Sequence, residues 1–463
     1  MHSYFRNLLD RKDMTFFTAV GDKALSKTYA EYFNDISDCL ENIKSCCSDI
    51  KGKHIGILAD NSYEYLVVFG ALFMGEAFVV PINAYESADN IEYIISNSDT
   101  EILIVSERLN MHHADITLDI LDVTKKRADS GFDYEKCIEG CSEKSEMLIY
   151  TSGTTGRPKG VQLVLSNFLN MVEGNFSGNA SFAEGINKMY ITVPMYHVMG
   201  FYYWLMSLRA DCSLSINSNV GEIVDELKEI EPDLIIATPA FVNFLKKGLK
   251  KESNWADALN FVICGGAVLN KELVEDLKKK RIACLNVYGM TETGGSGTFN
   301  FDIAGHIDSI GLPSAGTDLR IIDGEICIAC ASMMKGYYKN EEATKEVLID
   351  GYMHTGDLGY IAEDGYTYIT GRKKNLIILS GGENVSPEEI EKMIYKNPNV
   401  KECIVVGKDD RLRVEVYADK EFHDDITDFV REMNKELPIF KRIYGVDFRD
   451  SEFEKTANGK IKR

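Results

Sequence analysis

The sequence predicts an α/β fold. It has a large N-terminal lobe of mostly parallel sheet with helices, an antiparallel meander or small β-barrel near its end, and a small α+β C-terminal lobe. Three observations predict this. Short β-rich runs alternate with longer helical patterns through most of the chain, as βαβ units around a buried sheet do. Between Gly311 and Thr370 the texture changes to short alternating runs punctuated by Asp-Gly, which reads as hairpins. After Arg372 the chain carries a further set of strands and helices. Its 463 residues allow two to four domains at roughly 100–200 residues each, or one α/β body with an appendage.

The elements follow in order. HIGILAD is a strand before the helical stretch from Tyr63, and EILIVS at 101–106, PDLIIATP at 232–239 and FVICGGA at 261–267 are buried strands. The segment before Thr28-Tyr29-Ala30-Glu31 is brief, and the loops from 205 to 235 read as trimmed. LRIIDGEICIA, GYMHTGDLGYI and EDGYTYITGR form the meander. The domain boundary falls just after Gly371-Arg372, so residues 1–374 form one domain and 375–463 the other. The tail holds NLIILS, the helix SPEEIEKMIYK, strands ECIVVGK and RLRVEVYAD, a helix near 424–436 and YGVDF. Ser386-Pro387-Glu388-Glu389 is a helix start: Ser as N-cap, Pro in the first turn, acids at the positive dipole end.

Composition excludes several functions. Lys and Arg total 51 against 72 Asp and Glu, a net charge of −21, and an acidic surface repels nucleic-acid phosphates. The tail holds −3 of this and the first 374 residues −18. The longest apolar stretch, Tyr65 to Pro81, is broken by Glu76 and is short of the ~20 residues of a membrane span. The N-terminus lacks the apolar run of a secretion signal. Eleven cysteines, an odd number, are too few for a disulfide scaffold and fit a reducing cytoplasm. Cys327 and Cys330 form C-x-x-C within an alternating run, where positions three apart face opposite ways and cannot easily share a metal.

The strongest chemical signal is Tyr150-Thr151-Ser152-Gly153-Thr154-Thr155-Gly156-Arg157-Pro158-Lys159-Gly160, after the strand-like MLIY. Glycines let backbone N–H groups approach an anion, hydroxyls donate, and Arg157 and Lys159 add charge, so the segment suits phosphate. The spacing is not that of Walker A, because Gly160 follows the lysine where a magnesium-binding Ser or Thr would stand.

This loop resembles the signature of the adenylate-forming superfamily, which includes acyl- and aryl-CoA synthetases, amino-acid adenylation domains and luciferases. Four further motifs follow in the family's order: Asn286-Val287-Tyr288-Gly289-Met290-Thr291-Glu292-Thr293; His354-Thr355-Gly356-Asp357-Leu358-Gly359; Gly371-Arg372-Lys373-Lys374 with Ser380-Gly381-Gly382-Glu383-Asn384-Val385; and Thr456-Ala457-Asn458-Gly459-Lys460. The resemblance implies two parallel-type sheets and a small barrel in the large lobe, a mobile small lobe, and an active site in the cleft between them. It implies an AMP-forming acid–thiol ligase: ATP and a carboxylate give an acyl-adenylate and pyrophosphate, and the acyl group then passes to a thiol. ATP, Mg2+ and CoA are the implied cofactors.

By the same resemblance Lys460 bridges the carboxylate and the α-phosphate, Thr291 contacts the α-phosphate, and Glu292 holds magnesium as a hard oxygen ligand. Thr151, Ser152, Gly153, Thr154, Thr155, Gly156 and Lys159 cradle the phosphates. Gly265, Gly266 and Ala267 pack on one adenine face and Tyr288 on the other, within the motif Asn286, Gly289 and Met290. Asp357 accepts the ribose hydroxyls and Arg372 adds a ribose or phosphate contact. Lys374 is the pivot of the small lobe. Gly381 and Gly382 line a pantetheine channel, in the form of the motif that CoA ligases carry. His197, in Pro194-Met195-Tyr196-His197-Val198-Met199-Gly200, is a gate between acyl pocket and thiol channel.

That last stretch lacks the acid with which amino-acid activators pair an ammonium, so a hydrophobic or aromatic carboxylic acid fits better. Phe201, Phe241, Val242, Cys264 and Met290 are pocket positions that read equally as core. The alternative acceptor is the phosphopantetheine of an acyl carrier protein, with Lys441-Arg442 as a basic docking pair. The same loop also admits a phosphotransferase, which would release no pyrophosphate, and a non-catalytic nucleotide-binding relative. No nucleic-acid partner is expected.

Overall fold

Periodicity dictates where the chain turns. The strand His54–Leu58 is buried along four of its five residues, and after a short turn the Ser62 hydroxyl caps the helix Tyr63–Met74. This helix and the strand Phe78–Pro81 account for the apolar stretch at 65–81. Among the described residues no helix is long and apolar enough to cross a membrane. The computed structural model describes residues 3–21, 24–109, 112, 114–127, 131–151, 157–178, 185–217, 221–238, 241–242, 244–245, 254–266, 271–380, 383–455 and 461. They divide into two compact units, Met1–Leu319 with Ile328–Met353, and Arg320–Cys327 with His354–Arg463.

The first unit holds two sheets. One has seven strands in the order 336–337, 159–164, 146–151, 78–81, 54–58, 102–105, 116–119. Its pairs from 146–151 outward to 116–119 are parallel, and the hairpin 146–151/159–164 and the short strand Gly336–Tyr337 are antiparallel. The other runs 309–313, 297–300, 283–289, 261–265, 234–237, 188–191, 213–216, 15–19, 25–28. It is parallel from 283–289 to 15–19, with antiparallel strands at both ends. Four of the parallel strands are the runs legible as HIGILAD, EILIVS, PDLIIATP and FVICGGA.

Helices cover these sheets. Tyr29–Cys47 starts at a capping box in which the Thr28 hydroxyl accepts from Glu31 N–H and the Glu31 carboxylate accepts from Thr28 N–H, satisfying two orphan donors. Phe69, Phe73, Phe168, Phe201 and Trp204 form one aromatic cluster with ring centroids 4.9–6.2 Å apart. Between 205 and 235 the chain holds the end of the helix Val198–Arg209, the strand Ser213–Ile216, the helix Ile223–Ile230 and the start of the next strand.

In the second unit, Asp323 and Gly324 both have positive φ, as a two-residue hairpin turn requires. The strand Tyr352–Ile361 pairs antiparallel with Thr367–Arg372. Beyond them, Glu402–Lys408, Arg411–Tyr417 and Ile443–Arg449 form a three-stranded sheet. The helices Pro387–Ile394 and His423–Glu436 supply Ile390, Ile394, Ile426 and Val430 to its core. Ser386 stands at the N-cap position, but its hydroxyl does not cap the helix. It donates instead to the Thr370 carbonyl at 2.7 Å, which ties the helix start to the strand before it. Without its N-cap bond, the helix keeps Pro387 and two acids in its first turn, the residues that suit the positive end of a helix dipole.

Candidate active site

The carboxyl ends of parallel strands are where α/β sheets gather ligand-binding loops. Phe261–Gly265 and Ala283–Gly289 run parallel with Cys264 opposite Asn286 and Gly265 opposite Val287, so two of the predicted motifs end side by side. Asn286 is buried, and its Oδ1 has no hydrogen-bond partner among the described residues. A buried amide oxygen left unpaired is costly in a closed core, so it is an acceptor for which no described residue supplies a donor. Gly265 is buried; a Cβ there would stand 2.7 Å from Val287 Cγ2. Gly266, at φ +88°, faces open space. Tyr288 is half-buried and Gly289 exposed. Ala267 lies outside the described residues.

After Gly289 the chain makes one tight turn. Thr291–Thr293 is a single 3-10 turn closed by Gly294 in the left-handed region, where a Cβ would also meet the Ser332 carbonyl oxygen at 2.6 Å. Met290, whose side chain is half-buried, is tied to Thr293, which donates its hydroxyl to the Met290 carbonyl at 3.0 Å. Thr291 and Glu292 are buried. The Glu292 carbonyl accepts from Met334 N–H at 2.8 Å, and its Oε1 accepts from the Tyr337 hydroxyl at 2.8 Å. Oε2 has no partner among the described residues, which leaves a hard oxygen donor of the kind Mg2+ takes from proteins, one or two carboxylates beside substrate phosphates.

Thr151 ends one strand of a hairpin and Lys159 begins the other, directly opposite it. The loop therefore joins two antiparallel strands. Ser152, Gly153, Thr154, Thr155 and Gly156 lie outside the described residues. Lys159 Nζ sits 4.9 Å from the ring centroid of Tyr337, and among the described residues Arg157 bonds only to neutral oxygens, the Asp89 carbonyl at 3.2 Å and Asn90 Oδ1 at 3.3 Å. A cavity of about 250 Å³ is lined by Arg157, Lys159, Tyr93, Tyr337, Tyr338 and Lys339, among others.

His197 is the N-cap of the helix Val198–Arg209, its Nδ1 accepting from Met199 N–H at 3.3 Å. A neutral ring so bonded carries its proton on Nε2. The ring keeps an exposed surface yet is surrounded by enough protein for desolvation to hold its pKa below the ordinary histidine value. The loop before it is held by Asn61, which accepts from Met195 N–H and donates to the Val193 carbonyl. Met199 lies beside Gly265 and Val198 beside Gly295, so this helix start joins the same strand ends. Of the pocket positions, Phe201, Val242 and Cys264 are fully buried core, while Phe241 and Met290 are half-buried.

In the second unit Asp357 is buried and directly opposite Arg372, whose Nε reaches Asp357 Oδ1 at 2.8 Å. Arg372 also donates to the Thr355 carbonyl at 3.1 Å. The expected pair of ribose ligands is thus an ion pair with each other. Glu325 accepts from Lys373 and from the Gly356 N–H, both at 2.8 Å, and lies 3.1 Å from His354 Nδ1. Burial opposes its ionisation, but these partners hold it below the usual carboxylate range. Cys327 Sγ lies 3.5 Å from His354, so Glu325, Cys327 and His354 bring three donor types together. Both Glu325 oxygens already have partners, and burial pushes the Cys327 thiol up to about 11, so the group is a closed structural network. Cys330 bonds elsewhere, to the Thr293 carbonyl at 3.6 Å, as the strand alternation predicts. Lys374 is exposed in the single 3-10 turn Lys373–Asn375. Gly381, Gly382 and Lys460 lie outside the described residues. Sequence reasoning missed Tyr337 and Asn61: neither stands in one of the five motifs, and a lone Tyr or Asn carries no spacing signal.

A family model described as AMP-binding enzyme matches residues 11–338, and one described as AMP-binding enzyme C-terminal domain matches 374–463. The 2-succinylbenzoate--CoA ligase of Bacillus velezensis is 27% identical over 405 residues, 83% of this chain and 80% of the relative. A long-chain-fatty-acid--CoA ligase of Mycobacterium tuberculosis is 29% identical over 422 residues, 84% and 82% of the two chains. The o-succinylbenzoate coenzyme A synthetase (MenE) of Bacillus subtilis, solved with ATP and a magnesium ion, has the same fold, with a TM-score of 0.83 at 23% identity over 99% of this chain and 98% of that one.

Proposed function

We propose an acid–thiol ligase from one premise: this chain belongs to the AMP-binding enzyme family. It activates a carboxylic acid with ATP, releasing pyrophosphate, and transfers the acyl group to the thiol of CoA. The observation that carries this reading is the meeting of Gly265, the unpaired Asn286 oxygen and the Thr291–Glu292 turn at adjacent parallel strand ends. That set provides a bare surface for a flat ring, an acceptor for an amino group, a hydroxyl and a carboxylate in the order a nucleoside triphosphate presents its parts. The similarity to CoA ligases over four-fifths of the chain supports the reaction class.

In the first half-reaction a carboxylate oxygen attacks the α-phosphorus, the bond to the bridging oxygen breaks, and pyrophosphate leaves. Two anions must approach, so cations have to stand between them. We assign that place to Lys460, the α-phosphate contact to Thr291 and the outer phosphates to Thr151, Ser152–Gly156 and Lys159. Glu292 Oε2 would hold Mg2+, which supplies charge neutralisation to the phosphates when bound. Asp357 takes the ribose hydroxyls, with Arg372 beside it. In the second half-reaction the thiol sulfur attacks the acyl carbonyl carbon and AMP leaves. His197, with its hydrogen on Nε2, stands as gate to that step, and Gly381 and Gly382 line the channel. The functional lobes are 1–374 and 375–463, with Lys374 as pivot, and the enzyme works in the cytoplasm.

The acid is hydrophobic or aromatic, because the stretch 194–200 offers no carboxylate to an ammonium. A carrier protein is the weaker acceptor. Lys441, half of the basic pair that would dock it, is bound to both oxygens of Glu389 at 2.8 and 2.7 Å, and Arg442 Nε donates to the Leu437 carbonyl. The test is ATP-dependent pyrophosphate release across carboxylates from acetate to aryl and long-chain acids, with and without CoA, with Lys460→Ala as control. Release that needs one acid and accelerates with CoA is expected. Release that stops after one turnover with CoA present would transfer the second step to a carrier protein, and no release from protein that binds ATP would overturn the ligase reading.

A further inference from the structure

On the proposed reading of Glu292 as a metal ligand, we propose that Tyr337 is a positioning residue for adenylate formation. Its hydroxyl fixes one oxygen of Glu292 and its ring face holds the ammonium of Lys159, so one side chain sets the metal ligand against the phosphate cation.

The geometry is specific. Gly336–Tyr337 is a two-residue strand antiparallel to Lys159–Val164, with Tyr337 opposite Val161. The backbone is pinned on both sides. Lys335 N–H donates to the Gln162 carbonyl and Tyr338 N–H to the Gly160 carbonyl, both at 2.8 Å, and Tyr337 N–H donates to Thr344 Oγ1 at 2.8 Å. The side chain is therefore held at its root while its hydroxyl reaches across to Glu292 at 2.8 Å. A carboxylate oxygen can only accept here, so the phenol O–H is the donor of the pair. Oε1 is then committed and Oε2 remains as the open ligand atom. A carboxylate whose second oxygen is hydrogen-bonded is oriented for its metal, and such outer partners govern metal affinity. The ring meanwhile gives Lys159 a face to rest on; among the described residues the lysine has no carboxylate partner.

The experiment is calorimetric titration of ATP, without acid substrate, in Mg2+ and in EDTA. Tyr337→Phe keeps the ring and loses the hydroxyl. The expected result is a fall of about tenfold or more in the gain in ATP affinity that Mg2+ confers, with metal-free affinity within about twofold of wild type. Tyr337→Leu loses the ring too, and should also weaken metal-free binding about two- to fivefold. A merely structural tyrosine would not separate the two conditions. Full retention of the Mg2+ gain in Tyr337→Phe overturns the proposal, provided Glu292→Gln abolishes it. A gain that survives Glu292→Gln, or is absent from wild type, overturns the reading of Glu292 itself. Were Tyr337→Phe not to fold, Tyr337→His, which keeps a ring N–H, must show a larger Mg2+ gain than Tyr337→Met, and equal gains would refute the role.

Discussion

Gly265→Ala tests whether the strand end is bare for packing or for a ligand. The added Cβ would stand 2.7 Å from Val287 Cγ2 and 3.3 Å from Met199 Sδ, against about 3.5–4.0 Å for carbon atoms at ease. Met199 is unbranched and can swing away, but Val287 is stiff at χ1 on a paired strand. Overpacking of this size costs about 1–3 kcal/mol, read from equilibrium urea unfolding. Val287→Ala removes the clashing methyl, so the double variant should be more stable than the sum of the two changes by about 1–2 kcal/mol. ATP affinity should behave differently. If the glycine lets a flat ring approach the backbone, the methyl stays in the way, and the double variant should bind ATP at least ~10-fold more weakly than wild type despite regained stability. Additive stabilities would refute the packing geometry. Recovery of ATP affinity together with stability would refute the ligand role of Gly265.

Three other outcomes are expected. Asp357→Asn should raise the ATP concentration for half-maximal pyrophosphate release ~10- to 100-fold, the worth of a charge-assisted bond, with little change for the acid. His197→Ala should lose the helix cap, about 0.5–2 kcal/mol, while His197→Asn keeps it; both should slow transfer to CoA more than adenylate formation in single-turnover assays. Lys373→Met should alter acid stability with a defined sign. Because the folded pKa of Glu325 is depressed, its contribution is present above the unfolded value of about 4.3 and is lost as pH falls through the folded one. Lys373 is largely exposed, so the contribution is about 1 kcal/mol or less. The urea midpoints of variant and wild type should differ at pH 7 and converge as the pH falls through the depressed folded pKa of Glu325.

What is legible in the sequence follows from period and from motif. Buried parallel strands read as apolar runs because both faces are covered, which is why FVICGGA and PDLIIATP stand out. The helix Val198–Arg209 is less legible, because Tyr202, Tyr203 and Trp204 are all buried and leave it no polar face. Ser386 is legible as the N-cap position but not in its bond: competition between its own helix and the Thr370 carbonyl is tertiary, and no local pattern encodes it. Asp357 and Arg372 are legible as residues but not as a pair, because strand register sets them opposite. Tyr337 is invisible for the same reason, its partners being 45 residues away in Glu292 and across a strand pairing at Lys159.

The hairpin setting of the Gly-rich loop changes where its positive charge has to come from. A phosphate loop that opens a helix has the helix N-terminus to draw on. Here the loop joins two antiparallel strands, whose dipoles largely cancel. The charge must then come from side chains, and in a chain of net −21 many of the described cations are claimed by acids. Lys335, Lys339 and Lys51 are all paired with carboxylates. Arg157 and Lys159 are not: among the described residues one rests on Tyr93 and neutral oxygens, the other on Tyr337. Aromatic faces hold a cation while leaving its charge unneutralised. Two such cations bracket Pro158 with their charge left free of carboxylates among the described residues, and on the proposed reading an anion with several charges would take that place.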